Sequence, residues 1–137
     1  AAMLGMPYIR VLEVATFYTM FNLHPVGEHL VQVCTTTPCW LRGSDDVVAA
    51  CKKHIHPHQG AISPDGKFSW IEMECLGACV NAPMLLVDKD PYEDLDGPKT
   101  EALLEAIRRG EKPKPGPQNG RRSSEPEGGA TTLKGNE

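Results

Sequence analysis

Two short pairs of cysteines constrain this sequence more than any other feature. Four residues separate the first pair and three separate the second; the four cysteines are Cys34, Cys39, Cys75 and Cys79. Each pair follows a hydrophobic stretch that predicts a β-strand, residues 30–33 for the first and 68–74 for the second. Two strand ends that pass into tight loops side by side would surround one centre with sulfur. Soft thiolate ligands select zinc, copper(I) or an iron–sulfur cluster.

Composition and charge limit the class of protein. With 137 residues, 40% of them apolar, the chain can form one modest domain with a core. A net charge of −4 argues against nucleic acid as a main partner, because phosphate contacts need a basic surface. No run of about 18 apolar residues is present, and we expect no direct membrane insertion. Five cysteines without a secretion signal favour a reducing compartment, where paired cysteines bind metals more often than they form disulfides.

The first 22 residues are apolar and predict a helix from the start of the chain, with Pro7 placed to open a helical turn. A single helix cannot bury its apolar stripe alone. We therefore expect it to pack on helices that precede this sequence or on a partner, and the chain to be the C-terminal part of a longer protein. Pro25 and Gly27 end the segment.

Residues 28–110 predict the order strand, loop, helix, strand, strand, helix, which is typical of an α/β sandwich with a small sheet. The first helix has Ser44 as its predicted N-cap, and the second starts at Asp96 or Pro98 and stops at Gly110. The predicted buried residues on these helices are Val47, Val48, Cys51, Ile55, Leu103, Leu104 and Ile107. The pattern leaves the strand order open.

Residues 111–137 contain four Pro, five Gly and one large aliphatic residue, Leu133. Such a segment cannot bury enough apolar surface to fold alone. Two interpretations remain open at this point: a solvated tail, or an extended arm that lies on a partner.

The cysteine spacing by itself admits several kinds of site. Structural zinc sites accept spacers of about two to four residues. A thioredoxin-like dithiol requires Cys-x-x-Cys, which neither pair is, and disulfides conflict with a reducing compartment. A [2Fe–2S] cluster needs two cysteines for each iron and tolerates irregular spacing. Gly77 and Ala78 also allow the close backbone approach that an anionic cluster requires. Spacing leaves the cluster and zinc both open.

Longer strings of residues narrow the choice. Residues 13–18 (EVATFY), 34–43 (CTTTPCWLRG) and 74–84 (ECLGACVNAPM) resemble the small iron–sulfur subunit family of respiratory complex I, the partner of the NADH-oxidising flavoprotein. Shorter matches continue through residues 92–95 and into the tail. The resemblance therefore covers nearly the whole chain.

The resemblance implies a thioredoxin-like ferredoxin domain with one [2Fe–2S] cluster. It carries the ligand role onto four positions, namely Cys34, Cys39, Cys75 and Cys79. It also implies three parts: residues 1–27 as the end of a helical bundle, 28–110 as the cluster domain, and 111–137 as an extended Pro/Gly-rich tail.

The resemblance further implies an electron-transfer subunit of a proton-translocating NADH:quinone oxidoreductase. FMN and NADH would bind the neighbouring flavoprotein, and this chain would hold a one-electron side acceptor without catalytic residues or a complete active site. Its place would be the peripheral arm, on the cytoplasmic side of a bacterial inner membrane or the matrix side of a mitochondrial one. Remaining alternatives are the equivalent diaphorase subunit of an NAD-linked hydrogenase or formate dehydrogenase, and a zinc-stapled interaction module.

A few further residues carry predictions. Cys51 lies on a helical apolar stripe and is predicted to be a core thiol. Three alternating histidines are assigned to a solvated loop; they are His54, His56 and His58. Trp40 is expected either to shield the metal centre or to fill the core. The acidic residues from Asp88 to Asp94 are predicted to form a solvated turn and edge, and Pro83 is predicted to be cis.

Overall fold

The computed structural model describes residues 1–126, 128–129 and 132. Its helices are α1 (Tyr8–Phe17), α2 (Thr37–Leu41), α3 (Ser44–His54) and α4 (Gly97–Arg108). Its strands are β1 (His29–Cys34), β2 (Phe68–Met73), β3 (Leu85–Val87), β4 (Asp90–Glu93) and β5 (Gly116–Pro117). A short 3₁₀ turn, Cys79–Asn81, lies between β2 and β3. Within this part of the chain, no helix combines the length and apolarity that crossing a membrane requires.

The strands form one mixed sheet in the order β2-β1-β3-β4-β5. β1 and β2 are parallel, with His29 opposite Phe68 and Cys34 opposite Met73. α3 lies in the connection between these two strands, because parallel neighbours require a long crossover. β3 runs antiparallel to β1, β4 antiparallel to β3, and β5 parallel to β4. Since β1 and β2 end at the same edge of the sheet, the segments that follow them lie close together.

The main core lies between the sheet and the pair of helices α3 and α4. It contains side chains from both helices and from four strands, together with two loop residues: Val31, Val33, Val47, Val48, Cys51, Ile55, Phe68, Trp70, Leu85, Val87, Tyr92, Leu95, Leu103, Leu104 and Ile107. All residues predicted to be buried on the two helices belong to this set, so that prediction is confirmed. A second, smaller cluster contains Cys34, Cys39, Ala82 and Met84.

The predicted start is confirmed for α4 and wrong for α3. The Asp96 carboxylate accepts a hydrogen bond from the backbone N–H of Lys99 at 2.8 Å, which caps α4 as predicted. Ser44 is not the N-cap of α3, because Gly43 occupies that position with φ 98°. Only glycine reaches this backbone conformation without steric cost. The buried Ser44 hydroxyl has no hydrogen-bond partner among the described residues.

Three other segments differ from their predictions. Residues 1–6 form turns instead of helix, and α1 begins only after Pro7. The first cysteine loop contains the short helix α2, which has Pro38 in its first turn, where a missing N–H costs nothing. The acidic stretch predicted to form a solvated turn and edge contains the strand β4, and one of its acidic residues, Asp94, is buried. The prediction of a cis bond before Pro83 is confirmed.

The two ends of the chain behave differently. No residue of α1 is buried, and its large apolar side chains Tyr8, Ile9, Val14 and Phe17 are exposed. The tail, by contrast, returns to the sheet: Gly116 pairs with Tyr92 and Pro117 with Glu93. The first half of the tail therefore packs on the chain's own domain.

Candidate metal centre

All four paired cysteines lie at the same edge of the sheet. Cys34 is the last residue of β1, and Cys39 lies in α2. Cys75 comes shortly after β2, and Cys79 begins the 3₁₀ turn. The parallel register sets Cys34 level with Met73, which brings the two loops together at this edge.

The two thiols within each loop interact with one another. The Sγ atoms of Cys75 and Cys79 are 3.4 Å apart. The Cys39 thiol shares a hydrogen bond with the Cys34 thiol and also interacts electrostatically with Cys79. Within the described ranges, no three His, Cys, Asp or Glu side chains group as ligands of a single ion. The thiols therefore lie in this structure as one pair in each loop.

The two pairs differ in their exposure to solvent. Cys34 and Cys39 are each 1% exposed and pack against Ala82 and Met84. Cys75 and Cys79 are exposed. One side of the centre is therefore built into the domain, whereas the other side faces solvent.

The environment shifts the pKa of three of these thiols. Burial raises the pKa of Cys34, but hydrogen bonds from the Thr36 hydroxyl and from the backbone N–H groups of Leu76 and Thr36 outweigh it, and the net shift is downward. Burial, followed by the shared hydrogen bond with Cys34, raises the pKa of Cys39 to about 12. The hydrogen bond with Cys75 is the largest cause of the raised pKa of Cys79.

The surroundings fit an anionic cluster bound by thiolates. Hydrogen bonding by the backbone of Leu76 acts to lower the pKa of Cys34, and that by Met84 acts to lower the pKa of Cys39, so both favour the thiolate. Gly77 adopts φ 89°, and a Cβ atom there would meet nothing within 4 Å. The second loop thus combines a left-handed turn with open space beside its backbone, which leaves room for a bulky inorganic group.

Three exposed apolar side chains lie close to the cysteines in the chain. Trp40 is 58% exposed, Leu41 71% and Val80 69%. Each of them lies within two positions of Cys39 or Cys79 in the chain. Trp40 therefore does not fill the core, which was one of its two expected roles.

Cys51 and the alternating histidines lie outside this centre. Cys51 is fully buried in the main core, where burial raises its pKa to about 12. The His56 carbonyl accepts a hydrogen bond from the Trp70 indole at 2.8 Å, while His54 lies beside Glu101, 3.4 Å away. The burial of Cys51 confirms the prediction of a core thiol. The prediction of a solvated loop is wrong for His54, which is the last residue of α3 and has a side chain only 13% exposed, while His56 and His58 lie beyond the helix.

Sequence reasoning missed three polar residues behind the Cys79 turn. Asn81 and Asp94 are buried, and Arg121 pairs with Asp94 through a side chain that is only 8% exposed. The only sequence signal was an arginine in the Pro/Gly-rich tail opposite an acidic stretch. Charge alone could not indicate which of several acidic residues it would meet.

The mixed sheet, the helices packed on it and the paired thiols at one of its ends are those of an α/β domain with a candidate metal centre. The family model of the thioredoxin-like [2Fe-2S] ferredoxin matches residues 1–108, and the chain belongs to that family. It is accordingly an iron–sulfur protein with a [2Fe–2S] cofactor.

Three curated relatives illustrate the similarity. A subunit of the NADH-quinone oxidoreductase of Rickettsia bellii is 58% identical over 108 residues, which is 79% of this chain and 65% of the relative. The corresponding subunit of Rhizobium meliloti is 52% identical, across 97% of this chain and 50% of the relative. NADH dehydrogenase [ubiquinone] flavoprotein 2, mitochondrial, of Dictyostelium discoideum is 50% identical, across 94% and 52%. The chain thus spans about half to two thirds of these relatives.

A solved structure with similar architecture is the NAD⁺-reducing [NiFe]-hydrogenase in its H₂-reduced state. The TM-score is 0.68 at 19% sequence identity, and the match covers 79% of this chain and 18% of the hydrogenase chain. At this level of identity the likeness concerns the fold alone.

Proposed function

We propose that this chain is the electron-transfer domain of the small [2Fe–2S] subunit of an NADH–quinone oxidoreductase, respiratory complex I. Its cluster is held by four thiolates, those of Cys34, Cys39, Cys75 and Cys79. The observation that carries the proposal is that both cysteine loops follow the neighbouring parallel strands β1 and β2 at the same end of the sheet, with the Cys75 and Cys79 sulfurs 3.4 Å apart. Relatives named as subunits of that oxidoreductase support the choice of complex.

Each element of the domain has a role toward the cofactor. β1 and α2 hold the buried pair, and the loop after β2 holds the exposed pair. The cluster, when bound, supplies single-electron transfer. The chain supplies the thiolates and the backbone N–H groups of Leu76 and Met84, which stabilise the negative charge on sulfur. The packing of Met84 against Cys34 and Cys39 excludes water from one side.

The partner is the flavoprotein subunit that carries FMN and oxidises NADH, with other subunits of the peripheral arm. In a bacterium this arm faces the cytoplasm, and in a mitochondrion it faces the matrix. The exposed apolar side chains of Trp40, Leu41 and Val80 support a protein contact beside the cluster. Single-electron exchange with the flavin would take place through this side, because the opposite side is buried.

The domain assignment follows the same proposal. Residues 1–27 are the end of a helical bundle, and the exposed apolar side chains of α1 support a cover by other helices. Residues 28–110 are the cluster domain, and residues 111–137 are the tail. Some residues of the tail lie outside the described residues, namely 127, 130–131 and 133–137, which include Leu133.

Anaerobic reconstitution tests the cofactor and its ligands. The chain, supplied with iron and sulfide under reducing conditions, should bind about two irons and two sulfides and give the EPR signal of a reduced [2Fe–2S] cluster. Cys51→Ser is the matched control and should retain this signal, because Cys51 lies in the main core. Stoichiometric zinc without iron-dependent absorbance would contradict the proposal and favour the zinc-stapled module.

Binding to the flavoprotein subunit tests the proposed partner. Trp40→Ser should weaken the complex at least about ten-fold, since large apolar side chains dominate interface energies. Exposed Lys52, on the far end of α3, provides the control Lys52→Ser. Equal affinity of both variants would exclude this face from the interface.

A further inference from the structure

Part of the tail runs from the sheet to the turn that carries Cys79. This segment, residues 116–125, is called the strap below. It begins as β5, which pairs with β4. The backbone N–H of Gln118 then donates to the Glu93 carbonyl at 2.9 Å. These bonds fix where the strap leaves the sheet, directly beside the Cys79–Asn81 turn.

Arg121 connects the strap to that turn. Its Nε donates to the Asp94 carboxylate at 3.0 Å, and one terminal nitrogen donates to the other carboxylate oxygen. The same terminal nitrogen reaches the Val80 carbonyl at 3.4 Å. The other terminal nitrogen donates to the Glu125 carbonyl at 3.1 Å, which closes the strap on itself. A planar guanidinium suits this two-pronged geometry, which the single charge of lysine cannot reproduce.

A second contact reaches the neighbouring residue of the turn. The Asn81 side-chain amide donates to the Ser123 carbonyl at 2.9 Å and to the Glu93 carboxylate. The backbone carbonyl of Asn81 in turn accepts a hydrogen bond from the backbone N–H of Asp94 at 2.7 Å. Asn81 is 3% exposed and Asp94 6% exposed. These bonds are therefore shielded from water and are stronger than equivalent surface contacts.

Val80 and Asn81 directly follow Cys79, the exposed cysteine that ends the second loop. Whatever holds these two residues also limits the positions open to the Cys79 sulfur. In the rest of the loop Leu76 and Ala78 pack in part on the buried cysteine cluster, whereas Glu74, Cys75 and Gly77 are exposed. The buried bonds of the strap thus act on the less constrained side of the metal centre.

We infer that the strap is a clamp for the cluster and that Arg121 is a positioning residue for it, acting through Asp94 and Val80 on Cys79. This inference rests on the proposed ligand role of Cys79. It assigns the tail a role within this chain that does not require a partner. Without the clamp, the Cys79 turn opens more often, and bound iron is lost faster through that side.

The test compares Arg121→Gln with Arg122→Gln. Both changes remove one positive charge from adjacent positions of the strap, but Arg122 is exposed, whereas Arg121 pairs with the buried Asp94. In the metal-free 137-residue chain, hydrogen exchange at the amides of Asn81 and Asp94 should quicken about ten-fold in Arg121→Gln and remain unchanged in Arg122→Gln. In reconstituted protein, iron transfer to a chelator should quicken by a similar factor, and the EPR g values should shift.

A truncation after Gln118 guards against a variant that fails to fold. It removes Arg121 and Ser123 together and also returns the Asp94 carboxylate to water, so that no buried charge is left unpaired. It should show the same faster exchange and faster iron loss. Wild-type exchange rates in both Arg121→Gln and the truncation would overturn the inference. Failure of every variant, including the wild type, to bind a cluster would count against the proposed function, while the exchange measurement would still decide the clamp.

Discussion

The two cysteine loops are built in opposite ways. The first loop passes from β1 into α2, and both of its thiols are buried against Ala82 and Met84. The second loop is largely irregular, its thiols are exposed, and the residues after it are held by a distant part of the chain. The comparison teaches that one half of the candidate metal centre is fixed by burial in the folded domain, while the other half is exposed and is held by hydrogen bonds from a distant segment. Metal-free protein should therefore keep the first half ordered and lose the second half first.

The largest expected effect separates the ligands from the other cysteine. Cys34→Ser and Cys75→Ser should each abolish or strongly perturb the cluster, because serine is a poor substitute for a soft thiolate. The absorbance and EPR spectra after anaerobic reconstitution measure this. A wild-type spectrum in Cys75→Ser would mean that the exposed pair does not bind the cluster.

Alkylation of the metal-free, reduced chain tests the difference in access between the two loops. Iodoacetamide should modify Cys75 and Cys79 at least about ten-fold faster than Cys39, because reaction of a buried thiol awaits local opening. The raised pKa of Cys39 acts in the same direction, since it lowers the thiolate fraction, whereas the raised pKa of Cys79 acts against the difference for that thiol. Mass spectrometry of the peptides gives the rates. Uniform rates would show that the first loop is no better ordered than the second.

A serine scan measured without metal tests the same difference in stability. Cys39→Ser should lower the free energy of unfolding by about 1–3 kcal/mol, because it buries a hydroxyl in an apolar cluster. Cys75→Ser should change it by less than about 0.5 kcal/mol, since this side chain is exposed. Urea denaturation followed by circular dichroism provides both values. Equal losses would contradict the assignment of the first loop to the folded framework.

The smallest expected effect concerns Asp96, which lies away from both loops at the start of α4. Asp96→Ala should cost about 1 kcal/mol by removing the N-cap, whereas Asp96→Asn keeps a capping acceptor and should cost less. The hydrogen bond from the Lys99 backbone N–H lowers the pKa of Asp96 below its ordinary 3.8. A lowered pKa stabilises the fold above that ordinary value, and the gain is lost as pH falls through the folded pKa.

The corresponding measurement is urea unfolding at several pH values. The difference between wild type and Asp96→Ala should be full at neutral pH and shrink below about pH 4. The cluster spectrum should be the same in both proteins. A difference that grew toward acid pH would mean that the Asp96 carboxylate destabilises the fold.

The sequence contained most of the fold because its local signals were consistent. Apolar spacing placed the buried faces of α3 and α4, and Asp96 marked the start of a helix. The same reasoning failed at Ser44. Serine is common both at the N-cap and at the first position of a helix, and only the backbone conformation of Gly43 shows that Gly43 is the N-cap here. The reasoning also failed at β4, where acidic residues at the surface concealed a strand with a single buried residue, Tyr92.

The candidate site was predictable to a different extent on its two sides. The paired cysteines were visible as spacing, because thiolates that share a metal lie close in the chain. The contact between Arg121 and Asp94 spans 27 residues, and local periodicity carries no information about such a pair. Long-range polar contacts of this kind depend on how the sheet places β4 beside β5, which the sequence left open.

The outer strands of the sheet also limit how the protein can associate with itself. β2 is flanked by residues 60–63, with an antiparallel bridge between Ile62 and Ser69 and a hydrogen bond from the Gly60 N–H to the Trp70 carbonyl at 2.8 Å. β4 is flanked by the two residues of β5. Exposed strand edges are the usual templates for strand addition and fibril growth. Because both ends of this sheet already carry a neighbouring segment, loss of the tail would open a template for strand addition along β4.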